Sequence, residues 1–120
     1  MSEVYELSPQ RPEQAPSRVR DVISTLANFV TLIPEVNIQF ASDTFTLGTQ
    51  RYGAVNDANL AAELQNELDT IAKNAEKNLK DEGFKGVKVT PINFDCTPMG
   101  WGSFRNILYV ARGVYQYKVS

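Results

Sequence analysis

The chain has 120 residues and a mass of 13.4 kDa, with 42% hydrophobic and 22% charged residues, which is the profile of one globular domain. It contains no histidine and a single cysteine, Cys96, which excludes Ser-His and Cys-His nucleophile pairs, imidazole zinc sites and an internal disulfide. No run approaches the roughly 20 consecutive apolar residues of a membrane span, so the expectation is a soluble protein, cytoplasmic or in a virion, with no membrane partner.

Met1 to Pro16 carries Pro9, Pro12 and Pro16 among polar residues and reads as an extended, partly polyproline-like arm. Val4, Tyr5 and Leu7 give it an apolar tip that can add to a sheet edge or lie in a groove, including one on a neighbouring subunit. Residues 17 to 120 form the domain. Val19, Val22, Ile23, Leu26, Phe29, Val30 and Ile33 follow the i, i+3, i+4, i+7 spacing of a helix, with Ser17 placed to cap it, Asp21 in its first turn and Pro34 to end it. Val36, Ile38 and Phe40, then Phe45 and Leu47, alternate with polar residues about a Ser42-Asp43 turn, which predicts a hairpin. Gly48 and Gly53, flanking Arg51-Tyr52, predict a bulge or loop.

A second helix is expected from Asn56 or Asp57, carrying Leu60, Leu64, Leu68, Ile71, Ala75 and Leu79 inward and ending at Gly83 with a left-handed C-terminal residue. Val87 and Val89 open a third strand whose apolar parity shifts across Pro91 to Ile92, Phe94 and Cys96, so it bulges or breaks there, and the proline places it at a sheet edge. After a loop from Thr97 to Ser103, a last strand runs from Phe104 to Val119. Its Ile107 to Val110 are apolar at both parities and read as buried on both faces. The fold class is α+β: two helices on one face of a mainly antiparallel four-stranded sheet, in the order αββαββ. A ferredoxin-like βαββαβ unit with its first strand moved to the chain's end gives the same order.

Chemistry is sparse. Cys96 has no histidine to activate it and reads as a buried bystander. Asp95 is the only acid after residue 83, and a two-carboxylate site would require Asp43 or Asp57 to converge on it. The sequence therefore assigns no catalytic residue, metal site or cofactor. The segment Thr97 to Arg105 is the most unusual, with two glycines, the only tryptophan and an arginine, and it reads either as a hairpin turn covering the core edge or as a binding loop. Residues 1 to 83 hold 7 Lys and Arg against 13 Asp and Glu, a balance of −6, and residues 84 to 120 hold 5 against 1, a balance of +4. Seven of the twelve aromatic residues also lie in the basic part. That combination would fit base stacking with phosphate neutralisation by Lys88, Arg105, Arg112 and Lys118, but the acidic whole favours head-to-tail packing of identical subunits.

The closing segment, Gly100-Trp101-Gly102-Ser103-Phe104-Arg105-Asn106-Ile107-Leu108-Tyr109-Val110 to Gln116-Tyr117-Lys118-Val119, follows a helix, a hairpin and a second helix. In this layout the chain resembles the small tail-terminator and head-to-tail joining proteins of tailed phages. It departs from them in a shorter stretch between the helices and in its extra arm. The resemblance implies a non-enzymatic protein that forms a ring with copies of itself, meets other virion proteins and has no catalytic residues. Its contacts are expected from the arm (Val4, Tyr5, Leu7) and the last strand (Tyr109, Arg112, Tyr115, Tyr117). The alternative is a small module for an anionic or nucleotide-like ligand or single-stranded nucleic acid, using Arg51, Tyr52, Trp101, Arg105 and Arg112.

Overall fold

A computed structural model describes residues 14–29, 35–41, 43–101 and 106–119. The elements follow the order α1 (Gln14–Phe29), β1 (Asn37–Ala41), β2 (Thr44–Ala54), α2 (Leu60–Asp81), β3 (Lys88–Trp101) and β4 (Asn106–Lys118). The strands form one sheet in the order β1-β2-β4-β3, every neighbour antiparallel. This is the order and direction set obtained by moving the first strand of a ferredoxin-like unit to the end of the chain. The α+β reading holds.

Helix α1 begins at Gln14, three residues before the expected Ser17, so the arm's expected boundary at Pro16 falls inside the first turn, where a missing proline N–H costs no helical hydrogen bond. Ser17 is therefore within the helix rather than capping it, and Asp21 lies beyond the first turn. Val30, Ile33 and Pro34 lie outside the described residues. Val19 and Ile23 are fully buried, with Val22 and Leu26 packed beside them.

Helix α2 starts at Leu60, later than Asn56 or Asp57, because Asn56 takes a left-handed turn at φ 61° and the Asp57 carboxylate accepts the N–H of Asn59 at 3.1 Å. Its inward stripe, Leu60, Leu64, Leu68, Ile71, Ala72, Ala75 and Leu79, is buried. At its end Gly83 adopts φ 102°, the Gly83 N–H donates to the Lys80 carbonyl at 3.1 Å and the Phe84 N–H to the Leu79 carbonyl at 3.1 Å. Those two bonds are the Schellman ending that the Gly83-Phe84 pair predicts. Glu76 ties the helix to the edge strand: its carboxylate accepts the Val89 N–H at 2.7 Å and faces Lys80 at 3.3 Å. The backbone donor, more than the lysine, holds its carboxyl below the ordinary value of 4.5.

Strand β2 runs unbroken past Gly48 and Gly53, correcting the expected bulge; it pairs with β4 without a register shift from Thr44 to Ala54. Packing explains the second glycine, because a Cβ on Gly53 would lie 2.6 Å from Leu60 Cδ2, where α2 starts across the sheet. Strand β3 also extends further than expected. It does not break at Pro91 but absorbs the parity change as a bulge between Pro91 and Asn93, and it continues through the expected loop to Trp101 with a second irregularity between Pro98 and Gly100. As predicted, Pro91 sits on an edge strand, and Pro98, expected in the loop, lies on the same edge strand, where proline is tolerated.

The core lies between the helices and one sheet face. Phe45 is 1% exposed, stacks on Tyr115 at 5.5 Å and contacts the rings of Tyr117 and Phe40 at 6.0 Å each. Tyr115 lies over Gly113, and a Cβ there would sit 2.8 Å from the Tyr115 Cε1. Gly48, one strand away, has nothing closer than 3.7 Å to such an atom. Gly113→Ala should therefore destabilise the fold by about 1–3 kcal/mol through overpacking, while Gly48→Ala should stay within about 0.5 kcal/mol of the parent. Urea midpoints measure both, and equal losses at the two sites would show that Tyr115 does not use the space above Gly113.

Candidate functional site

Period-two alternation sorts the sheet residues onto two faces. On β4 the core side takes Tyr109, Ala111, Gly113, Tyr115 and Tyr117, and the helix-free side takes Leu108, Val110, Arg112, Val114, Gln116 and Lys118. Register extends this second set across the sheet: Tyr52 lies opposite Leu108, Gln50 and Thr97 opposite Val110, Thr46 and Asn93 opposite Val114, and Gly48 and Asp95 opposite Arg112. This face is rich in Thr, Asn and Gln, as on any wetted antiparallel sheet. Leu108, Val110 and Val114 instead form a half-buried apolar row, continued sideways by Tyr52, which is 57% exposed.

The row ends where the sheet is narrowest. Strand β1 starts at Asn37, opposite Gly48, so among the described residues Gln50 to Ala54 of β2 have a strand neighbour on the β4 side alone. A hollow of ≈ 280 Å³ wraps around this edge, lined by Glu35, Gln50, Arg51, Tyr52 and Leu108. Since Arg51 points to the helix side and Tyr52 to the opposite side, the hollow reaches both faces of the strand. Gln50 Nε2 donates to Glu35 Oε2 at 2.5 Å across it. A second hollow, ≈ 180 Å³, lies at the β3 bulge between Pro91, Ile92, Asn93, Asp69 and Tyr115.

The residues expected to make contacts are divided by this arrangement. Tyr115 and Tyr117 are 2% and 3% exposed beneath the helices, so their side chains belong to the core and not to a contact surface. Tyr109 also faces the helices, and its hydroxyl donates to the Ala54 carbonyl at 3.1 Å. Arg112 is exposed on the helix-free face. Val4, Tyr5 and Leu7 lie outside the described residues. The β4 segment Ile107 to Val110, expected to be buried on both faces, is only half-buried: the described residues place no second layer on the helix-free side, and Ile107 and Tyr109 on the helix side are themselves only partly covered.

The ligand set is dispersed in the same way. Arg51 is held on the helix side by Glu63, at 2.9 Å, and by Glu67. Two carboxylates already neutralise its charge, so it offers no anion site. Tyr52 and Arg112 share the helix-free face but stand opposite Leu108 and Gly48, about four residues or 13 Å apart along the strands. Trp101 ends β3 opposite Ile107, and Arg105 lies outside the described residues. Basic and aromatic residues of the last two strands also separate: Lys88, Arg112 and Lys118 take the helix-free face, whereas Phe94, Tyr109, Tyr115 and Tyr117 face the helices. Among the described residues of these two strands, cation and ring therefore do not interleave on one surface as base stacking requires.

Cys96 is half-buried, and its thiol is pushed up by burial and by neighbouring Asp95, the opposite of an activated nucleophile. Among the described residues no group of His, Cys, Asp or Glu is arranged to hold a metal ion, and no helix is long and apolar enough to cross a membrane. Sequence reasoning missed that, among the described residues, β2 runs on past β1. The signal was the five-residue length of β1, bounded by Pro34 and the Ser42-Asp43 turn, against the longer run after Thr44. No family model matches the chain, and no curated protein or solved structure matches it.

The Tyr115 hydroxyl donates to Asp69 Oδ1 at 2.6 Å. Burial first, and then the carboxylate, pushes its ionisation far above the ordinary value of 10.0. The folded phenol thus keeps its proton after the unfolded one has lost it, so this contribution to stability is whole below pH 10 and disappears as pH rises beyond it. Urea midpoints should fall on alkaline titration, and Tyr115→Phe should flatten that decline. An unchanged slope in the variant would remove Tyr115 as its source.

Proposed function

We propose that the chain is a non-enzymatic assembly protein that associates with copies of itself into a homo-oligomer. The observation that carries this reading is the coincidence of two features at one end of the sheet: the apolar row of Tyr52, Leu108 and Val110, and an edge of β2 that has no strand partner among the described residues. Apolar residues in a row on an otherwise polar face mark a contact surface. Exposed backbone on a sheet edge is a template for another strand unless something blocks it. This edge has no proline and no lysine between Gln50 and Ala54, the usual blocking residues. The β3 edge, by contrast, has Pro91, Pro98 and two irregularities.

The αββαββ layout and the phage resemblance give the reading its specific form, a ring-like virion component of the tail-terminator or head-to-tail joining type that meets other virion proteins. The dispersal of Arg51, Tyr52 and Arg112 favours this over a ligand module. Nucleic acid is not the partner on this reading.

Light scattering coupled to size exclusion tests it. The full chain should run at a multiple of 13.4 kDa. Tyr52→Asp places a charge in the apolar row without touching the core, so it should lower the mass at a given concentration by at least half while leaving the melting temperature within about 4 °C of the parent, the shift of a surface change worth under about 0.5 kcal/mol. A full chain that stays monomeric to millimolar concentration would refute the reading.

A further inference from the structure

Independently of self-association, we infer that the hollow at the β3 bulge is a binding site for a guanidinium group. It lies between α2 and the bulged stretch of β3, where Gln65, Asp69, Pro91, Ile92, Phe94 and Tyr115 line ≈ 180 Å³. That is below the roughly 300–1,000 Å³ of a site for a drug-sized ligand, so it suits one small group and not a nucleotide. Its charge is a single carboxylate. Asp69 Oδ1 accepts the Tyr115 hydroxyl at 2.6 Å, and Oδ2 has no donor or cation among the described residues. A neutral phenol satisfies one oxygen without cancelling the charge. The described ion pairs on and beside α2 belong to Glu63, Glu67, Glu76 and Glu82, and Lys73, one turn past Asp69, is exposed and not among them. Arg51 meets two carboxylates on the same helix, whereas Asp69 meets no cation there.

The rest of the lining selects the kind of cation. Gln65 stands four residues before Asp69 on the same helix face and adds an amide oxygen. The bulge leaves Ile92 without a register partner between the Pro91–Tyr115 and Asn93–Val114 pairs, so main chain outside the ladder also borders the hollow. The remaining wall is apolar, formed by Pro91, Ile92, Phe94 and the Tyr115 ring. A guanidinium is flat, weakly hydrated and carries five donors, so it can serve a carboxylate, an amide oxygen and main chain together while its plane lies on apolar groups. An ammonium is a compact, strongly hydrated charge and gives up more water for fewer bonds. A neutral apolar group would take water from the carboxylate and return nothing.

Two sources carry the group, a free alkylguanidinium and an arginine side chain of a polypeptide. Amide NMR on the full chain separates them with n-propylguanidinium, a blocked Gly-Arg-Gly tripeptide, and the lysine and norleucine counterparts of that tripeptide. The proposal expects saturable shifts centred on Asp69 and Ile92 to Phe94 with both guanidinium probes, at a Kd on the order of 1 mM, and binding about tenfold weaker for the lysine and norleucine peptides. An arginine peptide about fivefold tighter than propylguanidinium supports a polypeptide source, and equal affinities support a free small molecule. Asp69→Asn removes the charge and keeps an oxygen for the Tyr115 hydroxyl, so it should weaken both probes about tenfold. Gln65→Arg, at an exposed position, leaves the Tyr115 bond untouched and supplies a guanidinium one turn from Asp69, so it should suppress binding by a similar factor. Shifts that are absent at about 20 mM probe, or that lie elsewhere, overturn the site. Lysine binding as tightly as arginine overturns the guanidinium preference, and unchanged affinity in either variant overturns Asp69 as the anchor.

Discussion

The Tyr115 ring joins three elements. It lies over Gly113 on its own strand, stacks on Phe45 of β2 at 5.5 Å, and reaches Asp69 of α2 with its hydroxyl at 2.6 Å. The contact fixes which face of β4 meets the helices, because a one-residue slip would turn Tyr115 and Tyr117 outward and bring Gln116 and Lys118 in. With β4 set, its neighbours follow through unbroken pairing with β2 and bulged pairing with β3. The distribution of function follows as well: every bulky ring of β4 is committed to the core, and the opposite face is left with Leu108, Val110 and Val114 as its only large apolar groups on that strand.

Much of this was legible in the sequence because the informative residues act locally. The helical stripe of α2, its end at Gly83-Phe84 and the β1–β2 hairpin all depend on neighbours within a few positions. The order αββαββ followed from them. What misled were residues whose reason lies far away in sequence. Gly53 reads as a loop signal, yet it is small because Leu60 crosses it, and nothing near Gly113 in sequence shows that it is the seat of Tyr115. Thr97 to Trp101 reads as a loop from its proline and glycine, yet it is edge strand, where both residues are tolerated.

The candidate contact residues show the same limit more sharply. Period two correctly places Tyr115 and Tyr117 on a common face, but periodicity does not say which face the helices cover. Choosing the wrong face turns core aromatics into an expected interface. Arg51 illustrates a second limit. An arginine beside a tyrosine between two glycines looks like a ligand clamp until Glu63 and Glu67, one turn apart on α2, are seen to enclose it. That pairing is set by where α2 crosses β2, which the sequence does not specify.

The shape of the molecule connects these points. Its radius of gyration is 16.2 Å, against about 13.6 Å for a compact domain of this length, and its extents of 58 × 23 × 18 Å describe a long, thin slab. Two helices cannot cover both faces of four strands, and β1 is too short to flank the whole of β2. Coverage fails first at the end farthest from the Phe45–Tyr115 cluster, where β4 changes from the buried Ala111, Tyr115 and Tyr117 to the half-buried Ile107 to Val110. Among the described residues, the apolar row and the edge of β2 without a strand partner therefore have one cause. A chain of this size that spends its aromatic residues on one tight cluster leaves the far end of a long sheet more thinly covered by the described residues.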